Sequence, residues 1–344
     1  MPAAPWAYIK LLPSVASEKA RVFSSFATLA RSPILSSWLR KRLGRHAKAC
    51  RRLRWKSAKR ISRLSASLRR RFDQLRYRRR PADLATITRA APCLTHLPRP
   101  DFIILGAPKC GTSWLQRALG QHPSIVVVPD EIEYFSTRFD FPLEWYLNHF
   151  ARQMKATPPP SDAPFVIGEK SARYCSIPPE RIRLVHHLLP NAKLILMTRD
   201  PVVRHWSQAK RFFSKRRFNK REGGVLALPR EELFEFFERT RPLGEFSTMI
   251  TNWVEIYPAR QLLVVSQEQA LARPREAYDA VLAHIGMPGS YDPAAITLLQ
   301  TETNLGPRLS MPDDVAAHLE AMFAPERERL ADLLGDRTSV YAKD

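Results

Sequence analysis

The chain has 344 residues, room for one large domain or two small ones, and a formal net charge of +22 whose excess lies wholly in residues 1–100. There, 25 of the 55 Lys/Arg stand against three of the 33 acids (Glu18, Asp73, Asp83), which leaves residues 101–344 neutral overall, so the charge says nothing about their surface. Cys50, Cys93, Cys110 and Cys175 form no CxxC pair or disulfide pattern, which argues against structural zinc and for a reducing compartment, the cytoplasm; Met1–Pro13 has no secretory-signal pattern, and no run nears the roughly 18 apolar residues of a membrane span.

From about Pro33 to Arg80 the chain is arginine-rich, and Ile61, Leu64, Leu68, Phe72 and Leu75 recur at intervals of 3, 4, 4 and 3. That spacing predicts an amphipathic helix with a basic opposite face. Three readings are open: a solvated or partly disordered arm, an interfacial helix on an anionic membrane such as the inner membrane surface, or an arm for nucleic acid or an acidic polymer. No nucleic-acid motif accompanies the run, with only Trp55 and Tyr77 available for stacking, so nucleic acid is not the expected partner. Pro81 and Ala91–Pro100 break the periodicity as a linker, which divides the chain into a basic arm, residues 1–97, and a domain, residues 98–344.

Phe102–Leu105 is a short apolar run that predicts a buried strand. Gly106 and Gly111 bracket a loop stiffened by Pro108, and Thr112 and Ser113 are expected to cap a helix entering at Trp114 and ending at Gly120. Loop amides, helix dipole and the Lys109 ammonium together suit an anion, so the stretch reads as a phosphate cradle. The glycines have Walker A spacing, but Thr112 takes the lysine position and Lys109 lies inside the loop, which weighs against a P-loop kinase of a small molecule without removing it. An ordinary strand-turn-helix with a chance lysine is the bland alternative.

Ile125–Val128 predicts a second buried strand, followed by an acidic loop carrying Glu131 and Glu133; solvated carboxylates are the ordinary reading of such a loop. Thr157–Pro164 is a proline-rich surface loop, and Glu169 and Lys170, taken alone, fit a salt-bridged strand end. A helix over Pro178–Leu189 and a strand over Lys193–Arg199 come next, then a helix bearing Arg204, Trp206, Ser207 and Lys210. Beyond a basic loop at Arg211–Gly224, helices are expected from Glu231, over Asn252–Pro258 and up to Gly286, with a strand at Gln261–Ser266. Alternating strand and helix signals imply an α/β fold, a mostly parallel sheet with helices on both faces.

Pro108-Lys-Cys-Gly-Thr-Ser-Trp114 resembles the Pro-Lys-Ser-Gly-Thr-Thr-Trp loop of sulfotransferases that use 3′-phosphoadenosine 5′-phosphosulfate (PAPS), with Cys110 in place of the usual small residue. Arg199-Asp-Pro201, with Ser207 eight residues after the arginine, resembles the second signature of that family. Glu131-Ile-Glu-Tyr-Phe135 and Leu143-Glu-Trp-Tyr146 are similar to the Glu-x-His-Phe-Phe and Leu-Glu-Trp-Tyr segments of its glycan (heparan-sulfate-like) branch; the loop with Trp114 looks more like the cytosolic small-molecule branch. Glu169-Lys-Ser-Ala-Arg-Tyr174 resembles Glu-Lys-Thr-Pro-x-Tyr.

The resemblance covers about residues 100–337 and implies a P-loop-like fold and transfer of a sulfuryl group from PAPS to a hydroxyl or amine. The acceptor would be a glycan or a small hydroxylated molecule. It implies Lys109, Glu131 as general base, and Lys170 as catalytic residues. It also implies that Lys109, Cys110, Gly111, Thr112, Ser113 and Trp114 hold the phosphosulfate end of the nucleotide, and that Arg199 and Ser207 hold its 3′-phosphate, for which the planar arginine fork is suited. Relatives close over the nucleotide with Lys-Gly-Arg; Asn304-Leu-Gly-Pro-Arg308 retains only Gly306 and Arg308. A transferring sulfuryl group carries less charge than a phosphoryl group, so no metal is expected. Counting back from Phe135 makes Glu131 the base, although alternation along an extended segment would set Glu133 on the same side. A non-enzymatic membrane or nucleic-acid adaptor acting through the arm is the competing reading.

Overall fold

Five strands pair entirely in parallel in the order β2-β3-β1-β4-β5: β1 Phe102–Gly106, β2 Ile125–Val127, β3 Val166–Lys170, β4 Lys193–Thr198 and β5 Leu262–Ser266. The structure is a computed structural model describing residues 86–88, 91–158, 163–214, 224–287, 289 and 309–335, all within one unit, Tyr77–Asp344. The basic run at 33–80, the loop beyond Ser214 and the closing loop with Gly306 and Arg308 lie outside the described residues.

β1 is buried at every position and β4 from Leu194 onward. Successive strand side chains point to opposite faces, so both faces of the sheet are covered, as expected of a parallel sheet with crossover helices. The chain leaves β1 through α1 (Thr112–Leu119) to the edge strand β2, and returns through α2 (Leu143–Ala156) to β3 beside β1. Helix α3 (Pro179–Leu188) then carries it to β4 on the other flank of β1, and α4 (Pro201–Phe213), α5 (Arg230–Thr240) and α6 (Phe246–Val254) lead to β5. Strand order thus reverses at β1, and the crevice at the carboxyl ends of such strands is where ligands bind in open α/β sheets. Helices α7 (Gln267–Ala272), α8 (Pro274–His284) and α9 (Asp313–Leu334) complete the described chain.

Three local expectations need correction. Thr112 and Ser113 form the first turn of α1 and do not cap it; the cap is Gly111, in the left-handed region at φ 87°, with no side-chain bond. Helix α6 lies earlier than Asn252–Pro258, because Pro258 and the turn before it stop the chain. Helices α2 and α9 were not foreseen. The 22-residue α9 is docked by Val315, Leu319 and Phe323 against Trp206, Phe236 and Phe237, and by buried Glu326, which accepts from both the amide and the hydroxyl of Ser247 at 2.8 Å. Ile87 and Ala91 pack into the main core with β1 and its neighbours. Among the described residues no helix is long and apolar enough to cross a membrane.

Candidate active site

The loop after β1 is shaped by backbone of positive φ, which at Gly106 admits no side chain. Gly106 has φ 139°, and a Cβ there would lie 2.3 Å from the carbonyl oxygen of Ala172. Lys109 itself takes a positive φ of 75°, uncommon for a non-glycine residue. The Ala107 amide donates to Met197 on β4 at 2.9 Å, tying the loop to the sheet. Two arginines grip it from behind: Arg204 Nε donates to the Pro108 carbonyl at 3.1 Å, and Arg199 Nη1 to the Lys109 carbonyl at 3.2 Å. Cys110 is wholly buried, and burial pushes its thiol up to about 12. Trp114 is largely buried on α1, where its amide and that of Leu115 donate to the Gly111 carbonyl at 2.8 and 3.1 Å, and the positive end of the helix dipole lies at the loop.

Across this loop stands a polar cluster built from β3 and the acidic loop. Lys170, at the end of β3, donates to Ser113 Oγ on α1 at 3.1 Å and to Glu131 Oε1 at 2.5 Å. The lysine side chain is 5% exposed and that of Glu131 37%, so the carboxylate reaches solvent and the ammonium is held beneath it. Glu133 has a left-handed backbone (φ 53°), which interrupts the extended course, yet its carboxyl stays beside that of Glu131, whose proximity adds to the effect of burial on it. It accepts from Thr137 Oγ1 at 2.7 Å, lies 3.9 Å from Arg173, and burial raises its carboxyl above the ordinary range.

Behind Lys170, Glu169 is fully buried. It accepts from Tyr146 at 2.7 Å and Ser171 at 2.8 Å, and burial raises it to about 7. Ser171 Oγ in turn accepts from the Glu133 amide at 2.9 Å, so the buried acid steadies the loop that presents Glu131.

Lys109, Ser113, Glu131, Lys170 and Arg199 therefore converge from four separate segments on the carboxyl edge of the sheet. Arg199 also lines a cavity of about 300 Å³ with Ser266 and Arg327. Ser207 lies half-buried on α4, one turn beyond Arg204 and outside the contacts just named. Neither the contact of Arg204 with the loop nor the coupling of Glu169 to Ser171 was read from the sequence; Ser171 had a signal, since the resembled segment carries a hydroxyl there too. Among the described residues no group of three or more His, Cys, Asp or Glu is placed to hold a metal ion.

The chain spans about half or less of the length of the curated relatives it matches. Membrane-associated sulfotransferase kil1 of Dictyostelium discoideum is 38% identical over 110 residues, 32% of this chain and 22% of its own. Heparan sulfate glucosamine 3-O-sulfotransferase 3B1 of Homo sapiens is 28% identical over 200 residues, 55% of this chain and 46% of its own. Bifunctional heparan sulfate N-deacetylase/N-sulfotransferase 4 of Mus musculus is 30% identical over 212 residues, 57% and 23% respectively. The crystal structure of a sulfotransferase from Alicyclobacillus acidocaldarius superimposes with a TM-score of 0.53 at 25% identity, covering 69% of this chain and 96% of that one. The sequence profile described as sulfotransferase domain matches residues 99–303, more than half of the chain, and the chain belongs to that family.

Proposed function

We propose that the chain transfers a sulfuryl group from PAPS to a hydroxyl or amine of an acceptor, in the first instance a glycan. The observation that carries this reading is the Glu131–Lys170–Ser113 contact facing the Lys109 loop: a solvent-reaching carboxylate and two cations gathered at a glycine-built anion cradle. The nucleotide fits that cradle on two counts. Gly106 and Gly111 supply the positive-φ turns that bend the loop over the strand end, and the positive end of α1 with Lys109 and Arg199 matches its anionic groups. When bound, PAPS supplies an activated sulfuryl group whose acceptor forms the new S–O or S–N bond as the bond to the 5′-phosphate breaks.

This chain's residues have separable duties in that reaction. Lys109 and the α1 amides hold the phosphosulfate and stabilise negative charge building on the phosphate side. Glu131 takes the acceptor's proton, and Lys170 orients it from below while its second bond, to Ser113, locks the ammonium against α1. Arg199 serves the 3′-phosphate. Names of relatives that act on heparan sulfate, together with the Glu131 and Trp145-Tyr146 segments, support a glycan acceptor.

Incubation with radiolabelled PAPS and polysaccharide, cell-envelope and small-molecule fractions tests the reading. Label transfer that Lys109→Ala abolishes, with the melting curve kept, is expected; undiminished transfer in that variant would overturn the role of the loop.

A further inference from the structure

Arg204 is the one arginine among the described residues with no exposed surface, and its partners are all neutral. Its Nε donates to the Pro108 carbonyl, one terminal nitrogen lies 2.9 Å from His205 Nε2, and the other donates to Gln208 Oε1. His205 is itself buried between the carbonyls of Pro201 (2.8 Å) and Thr240 (3.0 Å), and burial, then Arg204, lowers it to about 4, so it is uncharged at neutral pH. The other groups whose fields reach Arg204 are the thiols of Cys110 and Cys175, both raised to about 12 by burial and hence neutral. Burial lowers the guanidinium only to about 10, which leaves it charged. Of the other deeply buried ionisable groups among the described residues, Lys170 has Glu131, Glu326 has Arg329, and Glu169, whose hydrogen-bond partners are neutral, is instead raised by burial to about 7.

A buried charge without a counter-charge is costly, and proteins seldom keep one. The place of this one accounts for it. In a trans peptide the C=O and N–H point in opposite directions. Drawing the Pro108 carbonyl inward onto Arg204 therefore turns the Lys109 amide outward, toward the mouth of the cradle. Resting on the reading of that loop as the PAPS cradle, we propose that Arg204 is a positioning residue for the nucleotide: it fixes the Pro108–Lys109 peptide from beneath and supplies a buried positive charge whose counter-ion is the bound phosphate or phosphosulfate. The guanidinium does not touch the ligand. Its charge acts through one layer of backbone, sealed from solvent ions that would screen an exposed lysine.

Calorimetry with the desulfated nucleotide, 3′-phosphoadenosine 5′-phosphate (PAP), and thermal melting of the full chain test this on wild type, Arg204→Lys and Arg204→Gln. Lysine keeps the charge, and glutamine keeps a donor without it. Arg204→Lys is expected to bind PAP within a few-fold of wild type, and Arg204→Gln about ten- to a hundredfold more weakly, the scale of a lost hydrogen bond to a charged group. The melting temperature of ligand-free Arg204→Gln is expected to equal or exceed that of wild type, with a smaller rise on adding PAP. If Gln does not fold, Arg204→Met, neutral and of similar volume, takes its place with the same expectation. Equal PAP affinity in the neutral variant, equal weakening by Lys and Gln, or failure of both neutral variants to fold while Lys folds would each overturn the proposal. Absence of PAP binding by wild type would instead overturn the cradle reading itself, before any variant is compared.

Discussion

Glu131 and Glu133 lie two residues apart with neighbouring carboxyls, but only Glu131 is paired with Lys170, while Glu133 accepts from Thr137 and lies near Arg173. A general base contributes about 10²–10⁴-fold. Glu131→Gln is therefore expected to lower kcat by that order at saturating PAPS with little change in PAP affinity, and Glu133→Gln to cost much less; the reverse ranking would show that the wrong carboxylate has been chosen. Glu169 is tested by pH. Burial raises it from 4.5 to about 7, so between those values the folded chain holds a proton that the unfolded chain has released. The folded state binds more protons there, so stability falls as pH rises: the contribution is full below the unfolded value and lost by about pH 7, on the order of 3 kcal/mol. Glu169→Gln mimics the protonated acid and is expected to flatten that slope in urea titrations between pH 5 and 8; an unchanged slope would place the titration elsewhere. That Lys109 would sit in an anion-suited loop was legible from the run around it, whereas Glu131, Lys170 and Arg199 were picked out by the resemblance of their short segments and not by their own chemistry. Arg204 was not, since its meaning lies in Pro108, 96 residues away, and no local pattern announces such a reach.

Elements divide along the same line. β1, α1 and β4 were legible because an apolar run bounded by glycine or proline has few alternatives at that length. Helix α9 was hidden by Pro325, which sits inside it where a proline reads as a break. What holds it is tertiary: an apolar stripe on the α4–α5 pair and the buried Glu326. Glu326→Ala strands the Ser247 amide and hydroxyl and is expected to destabilise by about 1–3 kcal/mol, read as a lowered melting temperature, with Glu326→Gln recovering part. A loss too small to measure would mean that the apolar stripe alone fixes the helix.

At the scale of the whole molecule, charge and chemistry occupy different stretches of chain: residues 1–100 carry the excess of +22, and the site belongs to the neutral remainder. Removal of residues 1–76 is expected to leave the melting temperature and PAP affinity unchanged while lowering salt-sensitive attachment to anionic vesicles. Equal vesicle binding by the shortened chain would refute a surface role for the arm. Removal of residues 1–95 is expected to behave differently, because it takes Ile87 and Ala91 out of the core.

The thiol sealed beneath the cradle makes the breathing of the loop accessible to simple alkylation chemistry. Cys110 is wholly buried and held protonated, while Cys93 is exposed. With Cys50 and Cys93 replaced by serine, iodoacetamide can reach Cys110 only when the loop lifts from the sheet, so its rate of modification, followed by peptide mapping, counts those openings. Nucleotide seated above the thiol is expected to slow that count.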